Sequence, residues 1–324
     1  LPATTPERIL QRLDWQVIRR LDGLLQGDYR SLFYGFGVDF ADLREYQPED
    51  DIRYIDWNVT ARMNSPYVRQ YVEDREIAGW FLLDLSPSVD FGSVQSVKRT
   101  MLIDFVATLA RLLTRHGNRV GAVFYSGRYD GGHSDRRKID RGQKNNTKNG
   151  NSHPRPRIER TIPAHSGRNH VLRLVNELLK QPAVPRAPFT DLAPLLEGGL
   201  HAIKRRSLIF ILSDFICSPG WERPLNLLNQ RHEVLAVRLW DPREVQLPDI
   251  GPIIMEDAET GEQLYVDTHD RRFRQRFEEA AQQREAHLKQ IFKHAGVDML
   301  SLATDEDLVG AIVRFALSRK QRRR

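Results

Sequence analysis

Trp80-Phe81-Leu82-Leu83-Asp84-Leu85-Ser86-Pro87-Ser88 is the stretch on which the fold turns. Four large apolar residues in a row suit a strand covered on both faces. The run stops at an acid, and turn-forming Ser and Pro follow. A second run of the same kind, Ser207-Leu208-Ile209-Phe210-Ile211-Leu212, leads to Asp214. Two buried strands thus each deliver an aspartate just past their carboxyl ends.

Outward from these strands the rhythm alternates. Helical spacing predicts a helix over 94–115, with Met101, Phe105, Leu109 and Leu112 on one face. A strand is expected at 120–125, with an antiparallel hairpin partner at 158–162. Helices are expected at 168–180, 190–204 and 220–230, with a strand at 233–239. A hairpin at 253–267 is read around Glu259-Thr260-Gly261. A charged helix at 270–295, a strand at 297–302 and a helix from about 305 close the pattern. Strands alternating with helices predict an α/β fold, a doubly wound and mostly parallel sheet covered on both faces.

Three segments flank or interrupt this unit. Residues 1–27 contain an amphipathic helix at 6–26, with Thr5 as cap, Pro6 at the first helical position and Ile9, Leu10 and Leu13 on its apolar face. Residues 28–78 are dense in aromatics and paired charges and predict a small β-rich element. Residues 79–324 form the main domain. Within it, 129–157 is rich in Gly, Asn, Lys and Arg and poor in apolar side chains, which predicts a flexible basic insertion.

Composition narrows the class. The net charge of +6 sits largely in that insertion and in the tail from Arg319 to Arg324, a distribution that makes nucleic-acid binding a secondary reading. The single cysteine, Cys217, excludes an internal disulfide and fits a reducing compartment; small-residue packing is its expected role. No apolar run approaches the roughly 20 residues of a membrane span. The start, Leu1-Pro2-Ala3-Thr4-Thr5, lacks the basic head and apolar core of a secretory signal, so a cytoplasmic protein is expected.

The candidate site is the set Asp84, Ser86, Ser88, Thr190 and Asp214. In open α/β sheets, ligands collect outside the carboxyl ends of strands where the strand order reverses. If the strands bearing Asp84 and Asp214 are neighbours, the set converges there. Two carboxylates and three hydroxyls are hard oxygen donors, suited to Mg²⁺ or Mn²⁺ rather than zinc. Neutral hydroxyl ligands leave the cation with residual positive charge, which attracts one more oxygen, typically a carboxylate from a partner. Asp191 reads instead as a first-turn acid of the following helix.

This set resembles the metal-ion-dependent adhesion site of von Willebrand factor A domains: Asp-x-Ser-x-Ser at 84–88, Thr190, and Asp214 at the next strand end match one for one. The likeness covers 79 to about 305. The block Asp42-Leu43-Arg44-Glu45-Tyr46-Gln47-Pro48-Glu49-Asp50-Asp51-Ile52-Arg53-Tyr54-Ile55-Asp56-Trp57-Asn58-Val59-Thr60-Ala61-Arg62 is similar to the signature of a bacterial family called domain of unknown function fifty-eight. That resemblance implies a von Willebrand A-like, Rossmann-type domain and a MoxR-type AAA+ ATPase as partner, in complex assembly, maturation or metal insertion. Within the block, arginine–carboxylate bracing is expected rather than catalysis.

The sequence admits two other readings. A Mg²⁺-dependent phosphoester hydrolase would use the same carboxylates, but would need a second metal or a positioned base. No sequence feature supplies a histidine base for Ser86 or Ser88, so no catalytic residue is assigned. Nucleic-acid binding would run through the basic insertion.

Overall fold

The computed structural model describes residues 5–14, 42–47, 52, 55, 57–63, 65–70, 78–93, 96–129, 156–184, 186 and 190–322. Its elements in chain order are α1 (Pro6–Leu13), β1 (Asp42–Glu45), α2 (Trp57–Met63), β2 (Tyr67–Gln70), β3 (Ala78–Asp84), α3 (Lys98–Arg115), β4 (Arg119–Tyr129), β5 (Pro156–His165), α4 (Arg168–Lys180), α5 (Ala193–Ala202), β6 (Leu208–Ser213), α6 (Glu222–Arg231), β7 (Glu233–Trp240), β8 (Pro252–Glu256), β9 (Gln263–Asp267), α7 (Arg271–Ala295), β10 (Asp298–Ala303) and α8 (Leu308–Arg322).

Six strands form one sheet in the order β10-β7-β6-β3-β4-β5. All pairings are parallel except β4 with β5 at the edge. This is the doubly wound, mostly parallel arrangement expected from the alternating elements. The side-chain period of two splits each strand between two cores. Phe81 and Leu83 of β3, Phe210 and Leu212 of β6, and Leu235 and Val237 of β7 face one side, under α3, α4 and α8. Trp80 and Leu82, Ile209 and Ile211, and Val234 and Ala236 face the other, under α5, α6 and α7. That double burial is why the central strands read as continuous apolar runs.

The first helix docks where its apolar face requires. Thr5 accepts a hydrogen bond from the Arg8 amide at 3.4 Å, and Pro6 opens the helix. Ile9, Leu10 and Leu13 are buried in the core shared with α3 and α4. The part of this helix expected beyond Asp14 lies outside the described residues, as does most of the insertion. The strands flanking the insertion run longer than their apolar cores, because antiparallel pairing continues to Tyr129 opposite Pro156.

Two expectations are revised. The signature block holds a helix, α2, between the antiparallel strands β1 and β2, so it is not purely β. The aromatic and charged density there obscured the helical period. The final helix, expected from about 305, starts at Leu308 and runs to Arg322, so it takes in most of the basic tail. Arg319 is buried and donates to Glu233 at 2.5 Å and Asp298 at 2.6 Å, clamping α8 to β7 and β10.

Gly121 shows how tightly the sheet edge packs. It pairs with Trp80 across β3 and β4. A β-carbon there would lie 2.9 Å from the Ile162 carbonyl oxygen and from the Trp80 ring. Backbone on one side and a large ring on the other leave no flexible side chain to yield. Gly121→Ala is expected to lower stability by about 1–3 kcal/mol in urea unfolding, the usual scale for overpacking. An unchanged midpoint would show that the edge strand relaxes freely.

Candidate metal centre

The strands bearing Asp84 and Asp214 are hydrogen-bonded neighbours at the centre of the sheet. Strand β4 lies on the other side of β3, and the outward progression through β4 and β5 or through β6 and β7 runs in opposite directions from there. The two aspartates therefore emerge at a strand-order reversal, as expected.

Asp84 is completely buried. Its Oδ1 accepts from the Ser86 amide at 3.0 Å, and its Oδ2 accepts from the Ser213 hydroxyl at 2.6 Å. Ser213 Oγ in turn accepts from the Phe215 amide at 2.9 Å. Phe215 has φ +58°, a left-handed conformation that a bulky residue rarely adopts. Its ring is held against Trp221 and Phe292. The sharp bend directly after Asp214 is therefore fixed by aromatic packing, and it ties β6 to the Asp84 carboxylate.

Ser86 and Ser88 flank the first residue of a 3₁₀ turn, Pro87–Asp90. Their hydroxyl oxygens lie 3.2 Å apart, both buried. Thr190 is also buried, but it does not open the helix as expected, since α5 starts at Ala193. It sits in the preceding loop, where its carbonyl accepts from the Ser218 amide at 2.9 Å. That bond anchors Thr190 to the loop that follows Asp214. Asp191 is not the first-turn acid expected either: it lies two residues before Ala193, where its Oδ1 accepts from the Ala193 amide at 2.9 Å.

Three polar neighbours were not legible in the sequence. Lys98, the first residue of α3, is fully buried and donates to Asp214 Oδ2 at 2.8 Å and to Glu244 Oε1 at 2.6 Å. Burial alone would lower its pKa, but Asp214 and Glu244 reverse that and raise it, so it is charged. Ser213 is the second. Glu259, at the turn of the β8–β9 hairpin, is the third: its carboxylate accepts from the Thr190 amide at 2.7 Å and from the Thr190 hydroxyl.

The electrostatics leave the cup short of positive charge. Burial, then the neighbouring Asp214 charge, pushes Asp84 up to about 6. Burial, and after the Thr190 bonds the Asp214 charge, leaves Glu259 raised as well. Lys98 offsets one of these charges, and among the described residues neither Asp84 nor Glu259 forms a salt bridge. Burial and the Asp84 and Asp214 charges also drive the Cys217 thiol far up, which makes it a poor ligand or nucleophile.

The donor set fits a hard divalent cation. Two cis ligands on an octahedral Mg²⁺ at about 2.1 Å stand about 3.0 Å apart, close to the 3.2 Å between the serine oxygens. Among the described residues no group of three or more His, Cys, Asp or Glu is arranged to hold a metal, so the hydroxyls are indispensable to a site here. Both oxygens of Asp214 are engaged, Oδ1 by the Ile216 amide at 3.0 Å and Oδ2 by Lys98. That engagement suits a role through water better than direct ligation.

The chain belongs to the family described as "Protein of unknown function DUF58", which matches residues 42–131 and 141–287. It is 35% identical over 312 residues to an uncharacterised protein of Mycobacterium bovis, covering 96% of this chain and 89% of that one. An uncharacterised protein of Mycobacterium avium is 38% identical over 160 residues, 49% of this chain and 94% of its own length. Among solved structures, the conserved hypothetical protein BatB from Bacteroides thetaiotaomicron aligns with a TM-score of 0.44 at 10% identity, covering 76% of this chain and 99% of that chain. An aerotolerance-related membrane protein from Bacteroides fragilis aligns at the same TM-score and 12% identity, with the same coverage. No helix of the described residues is long and apolar enough to cross a membrane.

Proposed function

We propose that this von Willebrand A-like module is a cytoplasmic protein-interaction device whose contact is a divalent cation, Mg²⁺ or Mn²⁺, held by Asp84, Ser86, Ser88, Thr190 and Asp214. The observation that carries the reading is the buried cup itself. Two serine hydroxyls and an acid without a salt bridge stand together at the reversal of strand order. When bound, the cation supplies a Lewis-acidic position for a carboxylate oxygen of a partner. The chain's own residues do the rest. Ser213 and the Ser86 amide orient Asp84, Ser86 and Ser88 present their lone pairs, and Lys98 holds Asp214 in place.

The partner we propose is the one the family resemblance implies, a MoxR-type AAA+ ATPase, with a carboxylate on that ATPase or its client completing the shell. The test is capture of the purified ATPase by the full chain in Mg²⁺ and in EDTA. Wild type is expected to retain it only in Mg²⁺, and Asp84→Ala is expected to retain it in neither. Equal capture by both proteins in EDTA would sink the metal-dependent reading.

A further inference from the structure

The hairpin formed by β8 and β9 does something a surface hairpin has no need to do. It is wet and apolar on both faces: Ile254 and Tyr265, cross-strand neighbours, share one face and Leu264 lies on the other, all more than half exposed. Little of its length packs on the domain, Val266 being its one buried strand residue. At its base, Thr268 bonds the Gly251 carbonyl and receives the Ile250 amide. Yet its tip reaches back to the sheet edge and places a carboxylate on Thr190.

The tip is built for that carboxylate. Asp257 Oδ1 accepts from the amides of Glu259 at 2.9 Å and Thr260 at 2.7 Å, and from the Thr260 hydroxyl at 3.0 Å. Gly261, with φ +72°, returns its amide to the Asp257 carbonyl at 2.8 Å. Asp257, Ala258 and Thr260 are exposed, whereas Glu259 is half-buried, as is Gly261. A loop locked by these four side-chain and backbone bonds therefore aims a single acid inward.

The acid is aimed against charge. Glu259 faces the field of Asp214, and no described cation pairs with it. A hydroxyl that ligates a cation still has its proton to give, so the Thr190–Glu259 bond is compatible with Thr190 as a ligand. A cation in the cup would turn the Glu259 contact from repulsive to attractive.

We propose that Glu259 is the resident carboxylate of the metal centre: it completes the cation's shell in cis, and an outside carboxylate binds only by displacing it and releasing the β8–β9 arm. This rests on the metal-centre reading above. The arm would then be both plug and signal, since displacement frees the exposed apolar pair Ile254 and Tyr265 from its fixed position.

The experiment uses the full chain as wild type, Glu259→Gln and Asp84→Ala. Mg²⁺ affinity is measured by calorimetry, and hydrogen exchange of residues 252–267 is followed with Mg²⁺ and with EDTA. In the wild type, Mg²⁺ is expected to slow exchange in the arm. In Glu259→Gln, affinity is expected to fall about tenfold, the scale of losing one charged member of a metal's shell, and Mg²⁺ should no longer slow the arm. Acetate, a free carboxylate, should restore Mg²⁺ affinity to Glu259→Gln and leave wild type unaffected. Melting in EDTA is expected to be no lower in Glu259→Gln, since the amide keeps an oxygen for Thr190 and removes a charge that Asp214 opposes.

Outcomes separate the two claims. If wild type binds Mg²⁺, Asp84→Ala does not, and Glu259→Gln binds as wild type does with an arm that still responds, the metal centre stands and the cis ligand is overturned. If wild type binds no Mg²⁺, both fall.

Discussion

Asp84→Asn is expected to bind Mg²⁺ at least a hundredfold more weakly than wild type, while folding as well in EDTA. The two halves of this result have one cause. Asp84 is wholly buried beside Asp214, with its oxygens met by the Ser86 amide and by the Ser213 and Ser86 hydroxyls. An ionised carboxylate in that position is costly without a cation, because burial and a like charge both oppose it. An amide of the same shape removes the charge and keeps an oxygen for the Ser213 hydroxyl; its NH2 forfeits the Ser86 amide bond, a loss smaller than the relief of the buried charge. The metal-free variant is therefore expected to melt no lower than wild type.

With Mg²⁺ the order reverses. A ligand that binds only the folded state stabilises it by about 2.7 kcal/mol at a hundred times its dissociation constant. Wild type should gain that increment and Asp84→Asn should not. The crossing of the two melting curves between EDTA and Mg²⁺ is the measurement. Parallel curves, with Mg²⁺ raising both proteins equally, would place the cation elsewhere.

What was legible in the sequence is the part that local chemistry writes. The runs Trp80 to Leu83 and Leu208 to Leu212 each have to bury both faces, and each ends at an acid, so the strands, their parallel neighbours and the position of Asp84 and Asp214 follow. Ser86 and Ser88 come with Asp84 because they lie within four residues of it. The rest depends on pairings across the chain. Lys98 reads as an ordinary surface lysine at the start of an amphipathic helix, and only the fold brings it to Asp214 and Glu244, 116 and 146 positions away. Glu259 reads as one residue of a polar hairpin turn, because nothing local says that the hairpin bends back over the sheet edge. Thr190 was recognised, but its setting was not, since Asp191 and Leu192 lie between it and the helix it was expected to open.

Lys98→Met is expected to be the most destabilising single change at this edge, by about 3–5 kcal/mol in urea unfolding, the range for removing one partner from a buried ion pair. Neither the ammonium nor the Asp214 carboxylate has appreciable exposure. Methionine fills the stem's volume but leaves Asp214 and Glu244 without their cation. The damage should spread along β7, because Glu244 Oε2 also receives the Asp241 amide at 3.0 Å. Asp241 in turn takes Ser93 and Thr304, and these bonds together with the Arg243 amide outweigh burial and hold its carboxyl below the ordinary value. Lys98 thus joins two strand ends, that of β6 through Asp214 and that of β7 through Glu244. The double variant Lys98→Met with Asp214→Asn should recover much of the loss, since it removes a buried charge along with its partner. Mg²⁺ should stabilise Lys98→Met by more than it stabilises wild type, because the cation is then the nearest positive charge to Asp214. If the single variant is as stable as wild type and its Mg²⁺ increment is unchanged, Lys98 is a passenger and Asp214 owes its position to the Ile216 amide and the bend at Phe215 alone.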